Sequence, residues 1–124
     1  TMDGVLRSFK VLEEGRKLVQ KSSLKIGVGL DNISVDASSN LWIASSPSLL
    51  SFALYAGGKK DIAPSRAHKV MIDSAGYPIR AIPFFVDDGT QISLSSVALP
   101  FGDQVIMGSV FDSLLIGTPS TILP

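Results

Sequence analysis

An all-β chain is what this sequence predicts, on three observations. Apolar and polar residues alternate in short runs. Turn residues interrupt those runs about every eight to twelve positions. No segment sustains the 3.6-residue period of an amphipathic helix.

Taken in order, Val5–Leu12 alternates and stops at the turn signal Glu13-Glu14-Gly15. Lys17–Ile26 alternates again and ends in Gly27-Val28-Gly29. A helix forced over Leu12–Val19 conflicts with Gly15 and with the alternation around it. Ile33–Val35 and Leu41–Ala44 flank Asp36-Ala37-Ser38-Ser39-Asn40, a loop of hairpin character. Leu49–Tyr55 reads as a further strand, closed by Ala56-Gly57-Gly58. His68–Ile72 and Ala81–Val86 follow, then the turn Asp87-Asp88-Gly89. Leu94–Leu99 and Gln104–Gly108 form a hairpin around Pro100-Phe101-Gly102-Asp103, and Ser113–Gly117 is the last strand.

Composition bounds the function classes. Of 124 residues, 45% are hydrophobic, which is ample for a core and unlike a disordered chain. Eleven basic residues balance eleven acidic ones, so nothing in the net charge draws the chain to nucleic acid or to an anionic membrane. The balance is uneven along the chain: every Lys and Arg lies at or before Arg80, and only Asp87, Asp88, Asp103 and Asp112 are charged beyond it. A mostly apolar segment of this kind suits the interior of a larger sheet assembly. Without cysteine there is no disulfide, zinc thiolate or cysteine nucleophile. No apolar run approaches the roughly 18 residues that span a bilayer, so no transmembrane segment is expected. No signal peptide begins the sequence, and the compartment is left open.

A weak internal repeat narrows the architecture. Ser34-Val35, a loop and Leu41-Trp42-Ile43-Ala44-Ser45 parallel Ser96-Val97, a loop and Val105-Ile106-Met107-Gly108-Ser109. Recurrent hairpins of this pattern fit successive blades of a β-propeller, slightly ahead of a sandwich.

The stretch Gly29-Leu30-Asp31-Asn32-Ile33-Ser34-Val35-Asp36, followed by Leu41-Trp42-Ile43-Ala44, resembles the paraoxonase/arylesterase family. Leu49–Tyr55 is similar to that family's next blade strand. Ser96-Val97-Ala98 with Val105-Ile106-Met107-Gly108-Ser109-Val110-Phe111 is similar to its last blade. The resemblance implies a calcium-dependent six-bladed propeller that hydrolyses lactones, aryl esters and, in some members, organophosphate triesters. Residues 1–124 are then the C-terminal portion of such a domain, a partial propeller of the last two to three blades. The chain falls short of a full ring, because a blade takes about 40 to 45 residues.

Carried over position by position, the resemblance makes Asp31 and Asn32 ligands of the catalytic calcium. Both offer the hard oxygens calcium takes, six to eight at a time. Neighbouring strand residues point to opposite faces, so both reach one ion only where the backbone is irregular. Gly27 and Gly29 upstream permit such irregularity. The remaining ligands and the His pair assigned to proton transfer belong to the family's N-terminal part, so no catalytic residue is assigned here. Where mammalian relatives read Cys-His-Pro, this chain reads Ser45-Ser46-Pro47. Ser46 therefore stands where those relatives have a funnel-lining His. Phe111 is the second candidate for the substrate funnel. The Cys that ties off the ring in those relatives has no counterpart near Gly117. An extracellular or secretory setting is implied by the resemblance alone.

Other residues have simpler readings. His68, the single histidine, reads as a surface or half-buried strand residue. Ser45-Ser46-Pro47-Ser48 lacks the Gly-x-Ser-x-Gly context of a nucleophile. Asp87-Asp88-Gly89 lacks the later acidic positions of a calcium loop and reads as a turn. Trp42 and Phe84-Phe85 read as core. Two further functions stand beside the hydrolase. One is a non-catalytic propeller fragment that acts as a binding or assembly module, with self-association through open sheet edges. The other is a propeller of the sugar-lactonase or strictosidine synthase-like kind.

Overall fold

The computed structural model describes residues 2–27 and 29–118. Among them are nine strands: β1 (Val5–Leu12), β2 (Lys17–Lys25), β3 (Gly29–Val35), β4 (Leu41–Ser46), β5 (Ser65–Ile72), β6 (Pro78–Asp87), β7 (Ser95–Phe101), β8 (Gln104–Ser109) and β9 (Leu114–Gly117). One α-helix, α1 (Leu49–Ala56), lies between β4 and β5. Among the described residues the fold is all-β apart from this helix and a single 3-10 turn at Glu13–Gly15. No helix among the described residues is long and apolar enough to cross a membrane.

The strands form three antiparallel sheets, ordered β1-β2, β3-β4-β5-β6 and β7-β8-β9. Each sheet follows the chain order: short loops join its successive strands, except that α1 lies in the longer connection from β4 to β5. Two of these loops share one design. Asp36 Oδ1 accepts from the backbone N–H of Ser38 and of Asn40, each at 2.9 Å. Asp73 Oδ1 accepts from Ala75 and Tyr77 at 2.9 and 2.8 Å. In both, the fourth residue has positive φ: Ser39 at 65° and Gly76 at 85°. The aspartate replaces the missing ladder partners, which is why Asp opens each loop.

The inner strands of the four-stranded sheet, β4 and β5, are covered on both faces. Trp42, Ala67 and Phe85 pack with Ala98, Val105 and Met107 on the β7-β8-β9 side. Ile43 and Val70 pack with Leu6 of β1 on the other side, flanked by Leu24 and Ile26. Adjacent residues Trp42 and Ile43 serve opposite cores, so β4 reads as continuously apolar rather than alternating. The largest fully buried side chain is Phe85, and truncating it to Ala would cost about 3–5 kcal/mol.

Serines stitch the second and third sheets where no strand ladder joins them. Ser65 Oγ donates to the Ile92 carbonyl at 2.6 Å and accepts from the Ser95 N–H at 2.9 Å. Ser34 Oγ donates to the Ala98 carbonyl across the same junction.

The segment expected as a strand at Leu49–Tyr55 is helical instead. Ser48 caps α1, its Oγ accepting from the Ser51 N–H at 3.1 Å. Six of the helix's eight residues are apolar, a composition that hides any helical period. His68 also departs from expectation: it is buried, at 3% exposure.

Candidate functional site

The ladder between β3 and β4 is broken at one place. Gly29 pairs with Ser46 and Leu30 with Ser45, and pairing resumes at Ile33 with Ile43. Two residues, Asp31 and Asn32, thus stand against the single residue Ala44. This is a β-bulge, which bends the strand and re-aims the bulged side chains. The irregularity that an Asp-Asn pair needs lies at the pair itself. The upstream glycines do other work. Gly27 has φ +88°, and Val28 lies outside the described residues. Gly29 stays in the ladder, and a Cβ there would meet Leu49 Cδ2 at 3.0 Å. Its lack of a side chain lets α1 approach β3.

Asp31 is exposed and makes no ion pair or side-chain hydrogen bond among the described residues. It sits at the wall of a cavity of about 310 Å³, with Ser46, Leu49, Phe52, Leu94 and Phe111. The structure therefore brings together three of the four residues singled out from the sequence: Asp31, Ser46 and Phe111. Asn32 is oriented differently. Its Nδ2 donates to the Ser96 carbonyl at 3.1 Å, which fixes the amide and leaves Oδ1 as the acceptor for another partner.

The rest of the cavity is mostly apolar. Phe111 meets Phe52 and Tyr55 of α1 edge to face, with ring centroids 6.5 and 6.3 Å apart. Ser46 Oγ donates to the Ser48 carbonyl at 3.2 Å, bracing the start of the helix. Leu94 is buried with φ 51°, a backbone region that costs a non-glycine residue about 1–2 kcal/mol. Strain of that kind concentrates at ligand sites. Sequence reasoning passed over α1 and Leu94. The one signal for α1 was Ser48 ahead of an apolar run that ends in Gly57-Gly58.

Two other constellations are explained by structure. Ser45 Oγ lies 3.4 Å from His68 Nδ1, but Ser45 is fully buried and no substrate can reach it. Burial, and then the Arg66 cation, push the His68 imidazole down to about 4, so it is neutral at pH 7. In the Asp87-Asp88-Gly89 turn, Asp87 Oδ2 accepts from the N–H groups of Gly89, Gln91 and Ile92 at 2.9–3.3 Å. That carboxylate is occupied in shaping the turn.

As a calcium site, the bulge offers the right donor chemistry in part. The Asp31 carboxylate and Asn32 Oδ1 are hard oxygens, two of the six to eight that calcium takes. No group of three or more His, Cys, Asp or Glu among the described residues is arranged to hold a metal. Further ligands would have to come from other strands. No protein-family model matches this chain, and no curated protein matches it.

Proposed function

We propose that this chain is part of a calcium-dependent hydrolase of the paraoxonase/arylesterase type, acting on lactones and aryl esters and, in the broader range of such enzymes, on organophosphate triesters. The observation that carries the reading is the β-bulge that takes Asp31 and Asn32 out of strand alternation beside an apolar cavity. The order β3-β4-β5-β6, a four-stranded up-and-down sheet with further sheets packed on both faces, supports a blade of a propeller with parts of its neighbours. On this reading β3 is the blade's first, innermost strand.

Asp31 and Asn32 would hold the ion. A calcium bound there supplies Lewis-acid polarisation of the ester carbonyl. Phe111, Phe52 and Leu49 would take the apolar part of the substrate and keep water from it. Ser46 adds a short hydroxyl at the same wall.

The test is calcium binding together with hydrolysis of a γ-lactone and of phenyl acetate, with calcium and then with a chelator. This chain alone is expected to bind calcium only in the millimolar range. Asp31→Asn and Asn32→Ala should each weaken that binding. A complete ring should show chelator-sensitive hydrolysis that Asp31→Ala abolishes. Calcium affinity and hydrolysis unchanged by these substitutions would sink the proposal.

A second reading, an assembly module without catalysis, is favoured by the outer face of the third sheet. Leu99, Leu114 and Ile116 are 41%, 63% and 53% exposed on one side of it. Apolar side chains grouped on an open sheet face make a candidate contact surface. Concentration-dependent sedimentation without any calcium effect would support this reading over the first.

A further inference from the structure

A second cleft lies away from the bulge, between the end of β2 and the β5–β6 hairpin. Its volume is about 360 Å³. Lys25, Arg66, His68 and Arg80 line it, and no Asp or Glu does. The other lining residues include Leu24, Ile26, Ile79, Ala81 and Pro83, so the cleft is cationic in one part and apolar in another.

Arg66 is the unusual member. Its Nε is buried and has no hydrogen-bond partner. Neither Arg66 nor Arg80 makes an ion pair among the described residues, whereas Arg7, Arg16, Lys17 and Lys69 all do. Lys25 is engaged through the Asp3 carbonyl, to which its Nζ donates at 2.7 Å. Burial shuts Nε off from a ligand, so the donors the cleft offers are the terminal amino groups of Arg66, which make no hydrogen bond or ion pair among the described residues. The acceptor that suits a guanidinium is a carboxylate or another oxyanion. The apolar wall beside it selects an anion with a hydrocarbon body.

We propose that this cleft binds a small organic carboxylate, its head on Arg66 and its apolar body against Leu24, Ile26 and Ile79. The charged groups facing the head are Arg66 from β5, Arg80 from β6 and Lys25 from β2, and the neutral, titratable His68 of β5 stands beside them. A carboxylate seated there offsets the Arg66 charge that disfavours a second cation on His68. Binding and protonation of His68 are therefore coupled, and the bound anion raises the imidazole pKa.

Because His68 is the only histidine, its ring resonances report on this cleft without ambiguity. The experiment titrates the 124-residue chain with hexanoate, hexanamide and inorganic phosphate and follows those resonances across pH. Hexanoate should shift them saturably and raise the His68 pKa, and hexanamide should not. Arg66→Gln should weaken hexanoate at least roughly tenfold, the worth of a charged hydrogen bond. Arg66→Lys, which keeps the charge and loses the paired terminal N–H donors, should fall between. No saturable shift in the wild-type chain would overturn the proposal, as would an equal response to hexanamide, which needs no variant to fold. Wild-type affinity in Arg66→Gln or in Arg66→Lys would overturn the role of Arg66. Phosphate binding as tight as hexanoate would overturn the organic-carboxylate assignment.

Discussion

Trp42 Nε1 donates to Asp36 Oδ2 at 3.0 Å, joining the indole at the edge of one core to the loop that turns β3 into β4. Lys69 Nζ stands 3.6 Å from the same oxygen and 5.5 Å from the centre of the Trp42 ring. A polar loop residue, an aromatic core residue and a strand cation thus share one carboxylate.

That carboxylate should dominate the acid limb of stability. Burial works to raise its pKa, but the combined hydrogen bonds from Trp42, Asn40 and Ser38 outweigh it and hold the group at about 2, against an ordinary 3.8. The unfolded chain takes up the proton first, so stability falls as pH drops from about 4 to about 2. Urea midpoints measured across that window should decline for the wild-type chain. Asp36→Asn should be less stable at neutral pH, by about 1–3 kcal/mol, and should flatten the decline.

His68 should govern a separate window. Its folded pKa is about 4 and its ordinary value 6.5, so between them the unfolded chain binds the extra proton. Stability should therefore fall as pH drops from 6.5 towards 4, with a slope of at most about 1.4 kcal/mol per pH unit. His68→Gln should remove this dependence. An unchanged slope in that variant would place the titration elsewhere.

Gly89→Ala should be among the most damaging single substitutions. Gly89 has φ +109°, and an added Cβ would lie 2.6 Å from the Ala63 carbonyl oxygen. The Gly89 carbonyl also accepts from Ser93 Oγ at 3.0 Å, and Ser93 Oγ accepts from the Ala63 N–H at 3.1 Å. Denaturant unfolding should show a loss of at least about 2 kcal/mol. Gln91→Ala, on an exposed neighbour, should cost far less.

Ser48→Ala should loosen the helix over the cavity. Removing an N-cap costs about 1 kcal/mol. Amide exchange at Ser51 should accelerate more than exchange in β4, because Ser51 N–H loses its acceptor directly. Equal acceleration in both places would mean that α1 does not open on its own.

Most strands were legible because polar and apolar residues alternate on the outer strands and turn residues bound each run. Val5–Leu12 is predicted and found with the same limits. The repeat of Ser34-Val35 and Ser96-Val97 falls on β3 and β7, the first strands of their sheets. Leu49–Tyr55 was misread because its apolar residues are nearly continuous, so neither period stands out and only the cap marks a helix. The need for an irregular backbone at Asp31-Asn32 was legible from the chemistry, but the bulge was not, since it depends on how Ala44 is paired across the sheet. The proximity of His68 to Ser45 was hidden for the same reason: cross-strand register places them together, whereas Arg66 shares a face with His68 by the two-residue spacing of one strand.

Among the described residues, the middle sheet shares a buried cluster with each of its neighbours, and neither cluster joins the two outer sheets to each other. Such a stack behaves like a short one-dimensional array, in which each layer's stability is its own plus that of the contacts it shares. Opening should start at the ends and reach Ile43 and Phe85 last, and the molecule's cooperativity should be set by its two interfaces rather than by any single sheet.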